Sequence, residues 1–280
     1  MTTDSFLNVE NLRVRFQTAK GPVEAVRGVS FSLGRERLGI VGESGSGKSQ
    51  TGRAILGLTA ANGSIEADRL SFHDLDLRNL SAREWRKIRG ARISMIMQDP
   101  KYSLNPVMSV GKQIVEAYRE HHRVGTREAK SCALKMLEQV KIRNPEQVFN
   151  KYPHEVSGGM GQRIMIAMML IPEPEIIIAD EPTSALDVTV QLQVLAILDD
   201  LVRDRGMALV FISHDLTLVS SFCDRVLVMY QGRVVEELAA ADLENARHPY
   251  TQGLLDCLPR IDRMHTDLPV LNRDPAWIEV

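Results

Sequence analysis

The sequence predicts an α/β fold in which a sheet is covered by helices on both faces. Short, continuous apolar runs recur along the chain, and such runs are typical of strands buried on both faces. In the second half of the chain these runs alternate with segments of helical length. A glycine-rich loop also joins the apolar run at residues 38–41 to a helix-compatible segment. These three observations favour a layered α/β architecture.

The first part of the chain is predicted to open with β structure. Two β-like runs are separated by the polar turn QTAKG. The predicted strands occupy residues 11–16, 23–33, 38–41 and 93–97, and a predicted helix occupies residues 48–58.

The middle of the chain is predicted to be mostly helical between residues 99 and 165. Its clearest helix has Ala133, Met136, Leu137 and Val140 at helical spacing. The βα alternation then returns, whereas the tail from residue 239 has no strong pattern. The predicted helices are 109–122, 126–140, 188–204 and 216–223, and the later strands are 176–179, 208–212, 225–230 and 234–237.

Composition limits the classes of function. The chain of 280 residues carries 34 basic and 36 acidic side chains, so its net charge of −2 gives no general attraction to nucleic acid or anionic lipid. The three cysteines are far apart, which favours reduced thiols. We expect no signal peptide, and the longest apolar stretch, residues 164–172, is too short to span a bilayer. Any role at a membrane would therefore depend on a partner.

The glycine-rich loop GESGSGKS matches the phosphate-binding pattern GxxxxGK[ST]. Its glycines allow consecutive backbone N–H groups to converge on an anion, and the following helix adds partial positive charge. Lys48 is expected to reach the β- and γ-phosphates of a nucleotide, and Ser49 to bind Mg²⁺. The remaining predicted phosphate-binding residues are Gly42, Glu43, Ser44, Gly45, Ser46 and Gly47.

A second motif places two acids at the end of a predicted buried strand. Asp180 and Glu181 follow the run IIIA, at the strand end where open α/β sheets bind ligands. Asp180 suits an Mg²⁺-holding acid, and Glu181 suits a group that polarises an attacking water. Together with the phosphate loop, this pair predicts a P-loop NTPase.

The stretch VSGGMGQ at residues 156–162 resembles the signature motif of ATP-binding cassette (ABC) proteins. Other landmarks are similar to that family and lie in the same order. Gln98 in MIMQDP resembles the Q-loop glutamine, residues 184–187 (SALD) the D-loop, and His214 in FISHD the switch histidine. Phe16 resembles the adenine-stacking aromatic, although a core phenylalanine is an equal alternative, and Asp187 could simply cap a helix. The resemblance covers residues 7–240.

The resemblance implies a RecA-like P-loop core with an antiparallel β subdomain and an inserted helical subdomain. It implies a nucleotide-binding domain at residues 1–240, with the insertion at 99–165 and a C-terminal extension at 241–280. Two such domains would pair head to tail, and each ATP would lie between the phosphate loop of one domain and the signature of the other. The implied roles are catalysis for Glu181, His214 and Gln98, Mg²⁺ binding for Ser49, Gln98 and Asp180, and contact with the partner's ATP for Ser157, Gly158 and Gly159.

Three further stretches resemble ATPase subunits of the oligopeptide, dipeptide and nickel importer group. They are QDPKYSLNP (98–106), KYPHEVSGGM (151–160) and HPYTQGLL (248–255), although Gly161 replaces an arginine common in that group. The resemblance implies a peripheral protein on the cytoplasmic face of the inner membrane. Its implied partners are two transmembrane permease subunits, a second ATPase subunit (a paralogue or a second copy) and, indirectly, an extracytoplasmic solute-binding protein.

Two other functions are alternatives to the importer ATPase. A soluble ABC ATPase acting on DNA or ribosomes would commonly have two cassettes or long coiled coils, and this chain has one cassette without sustained heptads. A non-hydrolysing nucleotide switch would usually lack the acid after Asp180, but Glu181 is present. The sequence therefore favours the importer ATPase.

Overall fold

The computed structural model describes residues 5–184, 186–258 and Trp277, without the side chains of residues 101, 102 and 201. The elements run in this order: β1 Leu7–Thr18, β2 Gly21–Leu33, β3 Arg37–Val41, α1 Lys48–Ile55, β4 Gly63–Glu66, β5 Arg69–Phe72, β6 Leu75–Asp76, α2 Ala82–Ile88, β7 Ile93–Ile96, α3 Pro100–Ser103, α4 Val110–His121, α5 Thr126–Gln139, α6 Pro145–Phe149, α7 Gly158–Leu170, β8 Ile176–Asp180, α8 Val188–Arg205, β9 Ala208–Ile212, α9 Leu216–Phe222, β10 Arg225–Tyr230, β11 Arg233–Ala239 and α10 Pro249–Asp256. Short 3₁₀ helices occupy Pro153–Glu155 and Ala240–Asn245.

The chain forms two compact units. The first consists of Met1–Arg78 and Phe211–Val280, and the second consists of Asn79–Val210. The boundary at which the chain returns to the first unit therefore lies within β9. The first unit contains an antiparallel sheet in the order β2-β1-β5-β6, with β4 also paired to β1. The β1–β2 register runs from Leu7↔Leu33 to Thr18↔Gly21, so the predicted five-residue turn contains only two residues outside the strands. This sheet is the antiparallel β structure that the family resemblance implied.

The first unit also contains the strands that carry the glycine-rich loop. β3 pairs in parallel with β10, and β10 pairs antiparallel with β11. Leu38, Ile40 and Val41 are completely buried in β3. This burial explains the continuous apolar run. It also fixes the position of β3, and the glycine-rich loop begins at the carboxyl end of this strand.

The second unit is built on a parallel pair, β7 and β8, in the register Ile93↔Ile176 to Ile96↔Ala179. The helices α3 to α7 lie between these strands in the chain. Their packing is close: a Cβ atom on Gly111 of α4 would lie 2.1 Å from the ring of Phe149. In α5 the predicted apolar face of Ala133, Met136 and Leu137 is buried. The amphipathic pattern therefore identified the correct face of this helix.

The structure corrects several predicted elements. The first helix ends at Ile55 instead of residue 58. Strands β4 to β6 were missed, because segments of two to four residues are too short to show a period. Helix α10 lies in the tail that showed no pattern, and begins with Pro249. Helix α2 was also missed, although Ser81 and Glu84 form the capping box that its SxxE spacing encodes.

Among residues 5–184 and 186–258, no helix combines the length and the apolar character needed to cross a membrane. The three cysteines are free thiols, two of them half-buried and the third, Cys223, buried at the end of α9. A Cβ atom on Gly39 of β3 would lie 3.2 Å from the Cys223 sulfur, so α9 packs tightly on this strand. Burial raises the pKa of the Cys223 thiol from 9.0 to about 12.

The raised pKa predicts slow alkylation of Cys223 in the folded protein. At pH 8 we expect its reaction with iodoacetamide to be at least about 100-fold slower than in the unfolded chain, because the thiolate is the nucleophile. The folded thiol keeps its proton to a higher pH than the unfolded thiol does. The resulting contribution to the free energy of unfolding is fully present below pH 9.0 and is lost as the pH rises towards 12. Peptide mass spectrometry after timed labelling checks the rates. Modification of Cys223 as fast as that of the half-buried Cys132 would contradict the packing of α9.

Candidate functional site

The glycine-rich loop in the first unit follows β3 and leads into α1. Gly42 and Gly47 have φ angles of +146° and +100°. A Cβ atom would lie 2.1 Å from the Met229 carbonyl oxygen at Gly42, and 2.5 Å from the Ala25 carbonyl oxygen at Gly47. Both positions therefore require glycine for conformation and for space. The loop backbone is held in one shape by the β-strands around it.

The loop folds around the ammonium group of Lys48. This side chain is 5% exposed, and its Nζ donates to the carbonyl oxygens of Gly42 at 2.7 Å and Glu43 at 2.8 Å. The loop is also tied to the β10–β11 turn, because Gly232 N–H donates to the Ser46 carbonyl oxygen at 2.9 Å. By contrast Ser44 and Gly45 are exposed. This arrangement, a fixed cation beside an exposed loop at a helix start, suits a phosphate group.

The other two predicted residues of the first unit lie on strands or next to them. Phe16 is half-buried in β1 and pairs with Gly63, where a Cβ atom would lie 2.8 Å from its ring. His214 is exposed, directly after β9. The residues beside His214 are fixed: Ser213 N–H donates to the Ile40 carbonyl oxygen at 3.1 Å, and Asp215 caps α9. The roles of Phe16 and His214 stay predictions.

The acid pair in the second unit lies at the end of the buried strand β8. Asp180 is 3% exposed, whereas Glu181 is half-buried and has a φ angle of +47°. A left-handed conformation at a residue other than glycine is strained, and such strain is concentrated at functional sites. The backbone thus leaves the extended conformation of β8 directly after Asp180.

Gln98, Glu181 and Ser184 form one polar cluster. The Gln98 amide nitrogen donates to Glu181 Oε2 at 3.0 Å and to Ser184 Oγ at 3.3 Å. Ser184 Oγ donates to the Glu181 carbonyl oxygen at 3.2 Å. Since the amide nitrogen of Gln98 donates, only its Oε1 could bind a metal. The structure therefore brings together the glutamine and the acid that the sequence placed far apart in the chain.

The signature stretch forms the start of α7. Ser157 is the N-cap, and its Oγ accepts the Met160 N–H at 3.4 Å. Gly158 is exposed, and a Cβ atom there would meet nothing within 4 Å, so the helix start is open to a ligand. Gly159 packs near Val190. At Gly161 the nearest atom to an added Cβ is 3.7 Å away on Pro100, so nothing in the structure explains the glycine.

A basic cleft of about 620 Å³ adjoins Ser157 in the second unit. Arg163 donates to the Lys141 carbonyl oxygen at 2.9 Å and to the Gly159 carbonyl oxygen at 3.3 Å. Burial, and then the charge of Arg143, lower the pKa of Arg163. The four basic residues that line the cleft are Lys141, Arg143, Lys151 and Arg163. Their combined field would attract an anion towards the signature helix.

Two buried residues with clear contacts to these motifs were missed from the sequence. Gln162 is 2% exposed, and its Nε2 donates to the Pro182 carbonyl oxygen at 2.6 Å. Tyr250 is completely buried, and its hydroxyl accepts the Glu43 N–H. A polar residue inside the apolar helix α7 was a signal for Gln162. The stretch HPYTQGLL marked the segment that contains Tyr250, but gave no sign of its contact with the loop. Asp187 accepts the Val190 N–H at 3.0 Å as the N-cap of α8, and Ala185 lies outside the described residues.

The geometry of Gly47 predicts a severe effect of Gly47→Ala. The added Cβ atom must displace the loop from the Ala25 carbonyl oxygen, so we expect MgATP affinity to fall at least about 10-fold and stability by about 1–3 kcal/mol. Gly21→Ala is the matched control, because Gly21 also has a positive φ angle but a Cβ atom there meets nothing within 4 Å. Equilibrium binding measures the MgATP affinity of each variant, and chemical denaturation measures its stability. Equal MgATP affinity of the two variants would contradict the role of the loop.

Comparisons with known proteins agree with this geometry. The family described as ABC transporter matches residues 26–184. The oligopeptide transport ATP-binding protein OppD of Escherichia coli K12 is 49% identical over 92% of this chain and 77% of its own. The dipeptide transport ATP-binding protein DppD of Lactococcus lactis subsp. cremoris MG1363 is 46% identical over 94% of this chain and 76% of its own.

Two solved structures share the fold. The ATP-binding cassette MJ0796, as a dimer in a post-hydrolysis state with ADP and Pi, has a TM-score of 0.73 and 26% identity over 84% of this chain and 98% of its own. CbiO1 from Clostridium perfringens, part of the ABC transporter complex cbiONQ, has the same TM-score and identity over 86% of this chain and 91% of its own. The predicted fold class and family are confirmed: this chain belongs to the ABC transporter family and has the fold of its ATP-binding cassettes.

Proposed function

We propose that this chain is the ATP-hydrolysing subunit of an ABC importer that takes up peptides or a related small solute or metal complex. The observation that carries the proposal is the hydrogen bond from Gln98 to Glu181, at the end of a buried strand. It holds the proposed catalytic carboxylate in a defined position. The names of the relatives, which are oligopeptide and dipeptide transport proteins, support the solute class.

In this proposal the first unit binds the phosphates of ATP. Lys48 and the amides of the loop from Gly42 to Ser49 would contact them, except the Glu43 N–H, which donates to the Tyr250 hydroxyl. Phe16 would stack on the adenine. Ser49, Gln98 and Asp180 would bind Mg²⁺, and their hydroxyl, amide and carboxylate oxygens are the ligands this hard cation prefers. Mg²⁺ would neutralise the charge on the phosphate oxygens.

Hydrolysis would depend on Glu181, which we propose polarises the attacking water. Gln98 would hold that carboxylate and position the water, and His214, exposed after β9, would contact the γ-phosphate. The left-handed backbone at Glu181 supports this role, because such strain is concentrated at functional sites. A positioned general base typically contributes a factor of about 10²–10⁴ to the rate.

The signature helix would bind the ATP held by a second ATPase subunit, either a paralogue or another copy of this chain. Ser157, Gly158 and Gly159 would contact its γ-phosphate, and the basic cleft beside them would attract its negative charge. The dimeric state of MJ0796 in its solved structure supports this pairing. ATP would favour the closed pair, and hydrolysis would release it.

We propose that a second cleft, of about 420 Å³ in the helical region, receives a permease subunit. Its wall combines the exposed carboxylates of Glu116 and Glu120 with the apolar side chains of Met108, Met168 and Met169. This surface fits a segment that carries both basic and apolar side chains. The complex would contain two permease subunits and an extracytoplasmic solute-binding protein, with this chain on the cytoplasmic face of the inner membrane. CbiO1, likewise, is part of a transporter complex.

We also propose the domain organisation that the resemblance implies. The nucleotide-binding domain would be residues 1–240 with a helical insertion at 99–165, followed by an extension at 241–280. Helices α3 to α6 lie wholly within the proposed insertion, and α7 starts in it.

The catalytic proposal predicts that Glu181→Gln reduces ATP turnover of the assembled transporter at least about 100-fold while MgATP still binds, because an amide cannot act as a base. Phosphate release from the purified complex measures turnover, and Glu138→Gln on an exposed face of α5 is the matched control. Undiminished turnover of Glu181→Gln would reject the assignment.

The same assay tests the signature. Ser157→Arg places a bulky cation at the start of α7, so we expect turnover to be lost while the isolated subunit binds MgATP normally. Wild-type turnover by this variant would show that Ser157 acts only as a helix cap. Recovery of the protein with DNA or ribosomes, and without a permease, would favour a soluble ABC ATPase.

The permease cleft is tested by reversing its charge. We expect the double substitution Glu116→Lys and Glu120→Lys to reduce copurification of the permease subunits at least about 10-fold, because it opposes a basic segment. MgATP affinity of the isolated subunit should not change. The control is Glu138→Lys, on a different helix and outside the cleft. If the double variant and its control copurify equally, the cleft is not the docking site.

A further inference from the structure

Helix α10 contacts the glycine-rich loop through the side chain of Tyr250. Tyr250 is completely buried, although it lies more than two hundred residues beyond the loop. Its hydroxyl oxygen accepts the backbone N–H of Glu43 at 3.0 Å. Glu43 is the second residue of the loop, directly after Gly42. The N–H of Glu43 is therefore directed towards α10.

The start of α10 is fixed to strand β11. One carboxylate oxygen of Glu236 accepts the N–H groups of Arg247, at 2.6 Å, and His248, at 3.2 Å. The His248 side chain then caps the helix, since its Nδ1 accepts the Tyr250 N–H at 3.2 Å. These bonds fix the position of the Tyr250 backbone, from which the side chain extends to the loop.

The ring of Tyr250 is held by other aromatic side chains. Its centroid lies 4.4 Å from that of Tyr230, at the end of β10, and 5.9 Å from that of Trp277. Tyr230 and Trp277 are also 5.9 Å apart, so the three rings form one cluster. A ring packed on two sides has little rotational freedom. The hydroxyl group is consequently presented to Glu43 at a defined point.

We propose that Tyr250 is a positioning residue for nucleotide binding, and that residues 247–256 form a brace for the phosphate loop. The inference rests on the proposed function of that loop in binding ATP. The loop binds phosphates through converging N–H groups, so its affinity depends on how well its backbone is preorganised. The Tyr250 hydroxyl fixes the first turn of the loop from outside. Without it, the half-buried N–H of Glu43 would lose this hydrogen bond, and the loop backbone would be held less firmly.

The test is Tyr250→Phe in the full-length chain, which removes the hydroxyl and keeps the ring. One hydrogen bond of this kind predicts a MgATP Kd about 3- to 10-fold weaker than that of the wild type. In the assembled transporter KM for ATP should rise by a similar factor while kcat stays the same, because Tyr250 does not touch the reacting atoms. Tyr230→Phe is the matched control, since the Tyr230 hydroxyl accepts the side-chain amide of Gln231. We expect its Kd to equal that of the wild type.

Amide hydrogen exchange gives a second readout that needs no nucleotide. In the wild type the Glu43 amide should exchange as slowly as the amides of α10, because breaking its bond requires the brace to move. In Tyr250→Phe its exchange should accelerate selectively, relative to the α10 amides. In Glu236→Gln, which weakens the anchor of the brace, the Glu43 and α10 amides should accelerate together.

The outcomes separate this inference from the proposed function. A wild-type chain that does not bind MgATP rejects the proposed function. Wild-type binding with an unchanged Kd in Tyr250→Phe rejects the brace, as does an equal loss of affinity in Tyr250→Phe and Tyr230→Phe. Rapid exchange of the Glu43 amide in the wild type rejects it as well. A selective loss in Tyr250→Phe, in both affinity and protection of Glu43, supports it.

Discussion

The phosphate loop is confined by neighbouring backbone, and the proposed chemistry depends on this constraint. At Gly42 and Gly47, carbonyl oxygens from other segments occupy the space that a Cβ atom would need. Only glycine therefore fits at these two positions, and Lys48 donates to carbonyl oxygens of the loop. A loop ordered by its surroundings has already lost the conformational entropy that ligand binding would otherwise cost. Burial of β3 fixes where this loop begins.

The second unit holds its functional groups through side-chain hydrogen bonds. Strand β8 is fully buried up to Asp180, and the chain then adopts a strained, left-handed conformation at Glu181. Polar contacts among Gln98, Glu181 and Ser184 hold the side chains. Thus close packing and hydrogen bonds together order the phosphate loop, whereas hydrogen bonds order the proposed catalytic acid. Sub-ångström positioning of both groups is what hydrolysis at a single phosphorus atom requires.

The sequence predicted the elements whose signals are local. The phosphate loop, the buried acid strand and the amphipathic helix α5 each carry a complete pattern within a few residues. Order along the chain then identified Gln98 and the signature stretch. The family assignment followed from these motifs and is confirmed, whereas the roles of the individual residues stay predictions.

Features that depend on distant contacts could not be read in this way. The Tyr250 contact joins residues 207 positions apart, and the register that brings them together is set by many side chains at once. The φ angle of Glu181 is equally invisible, because an acid after a strand gives no sign of a left-handed turn. The short strands β4 and β5 form because they pair with β1, and β6 forms because it pairs with β5. Their own periodicity does not mark them.

The buried bond from Gln162 to the Pro182 carbonyl oxygen has a consequence for timing. It joins the helix that would read one nucleotide directly to the turn that carries the acid for another. If each subunit works in a pair, a displacement of the signature helix would act on the Glu181 turn through this hydrogen bond. The two hydrolysis events of one cycle would then be correlated.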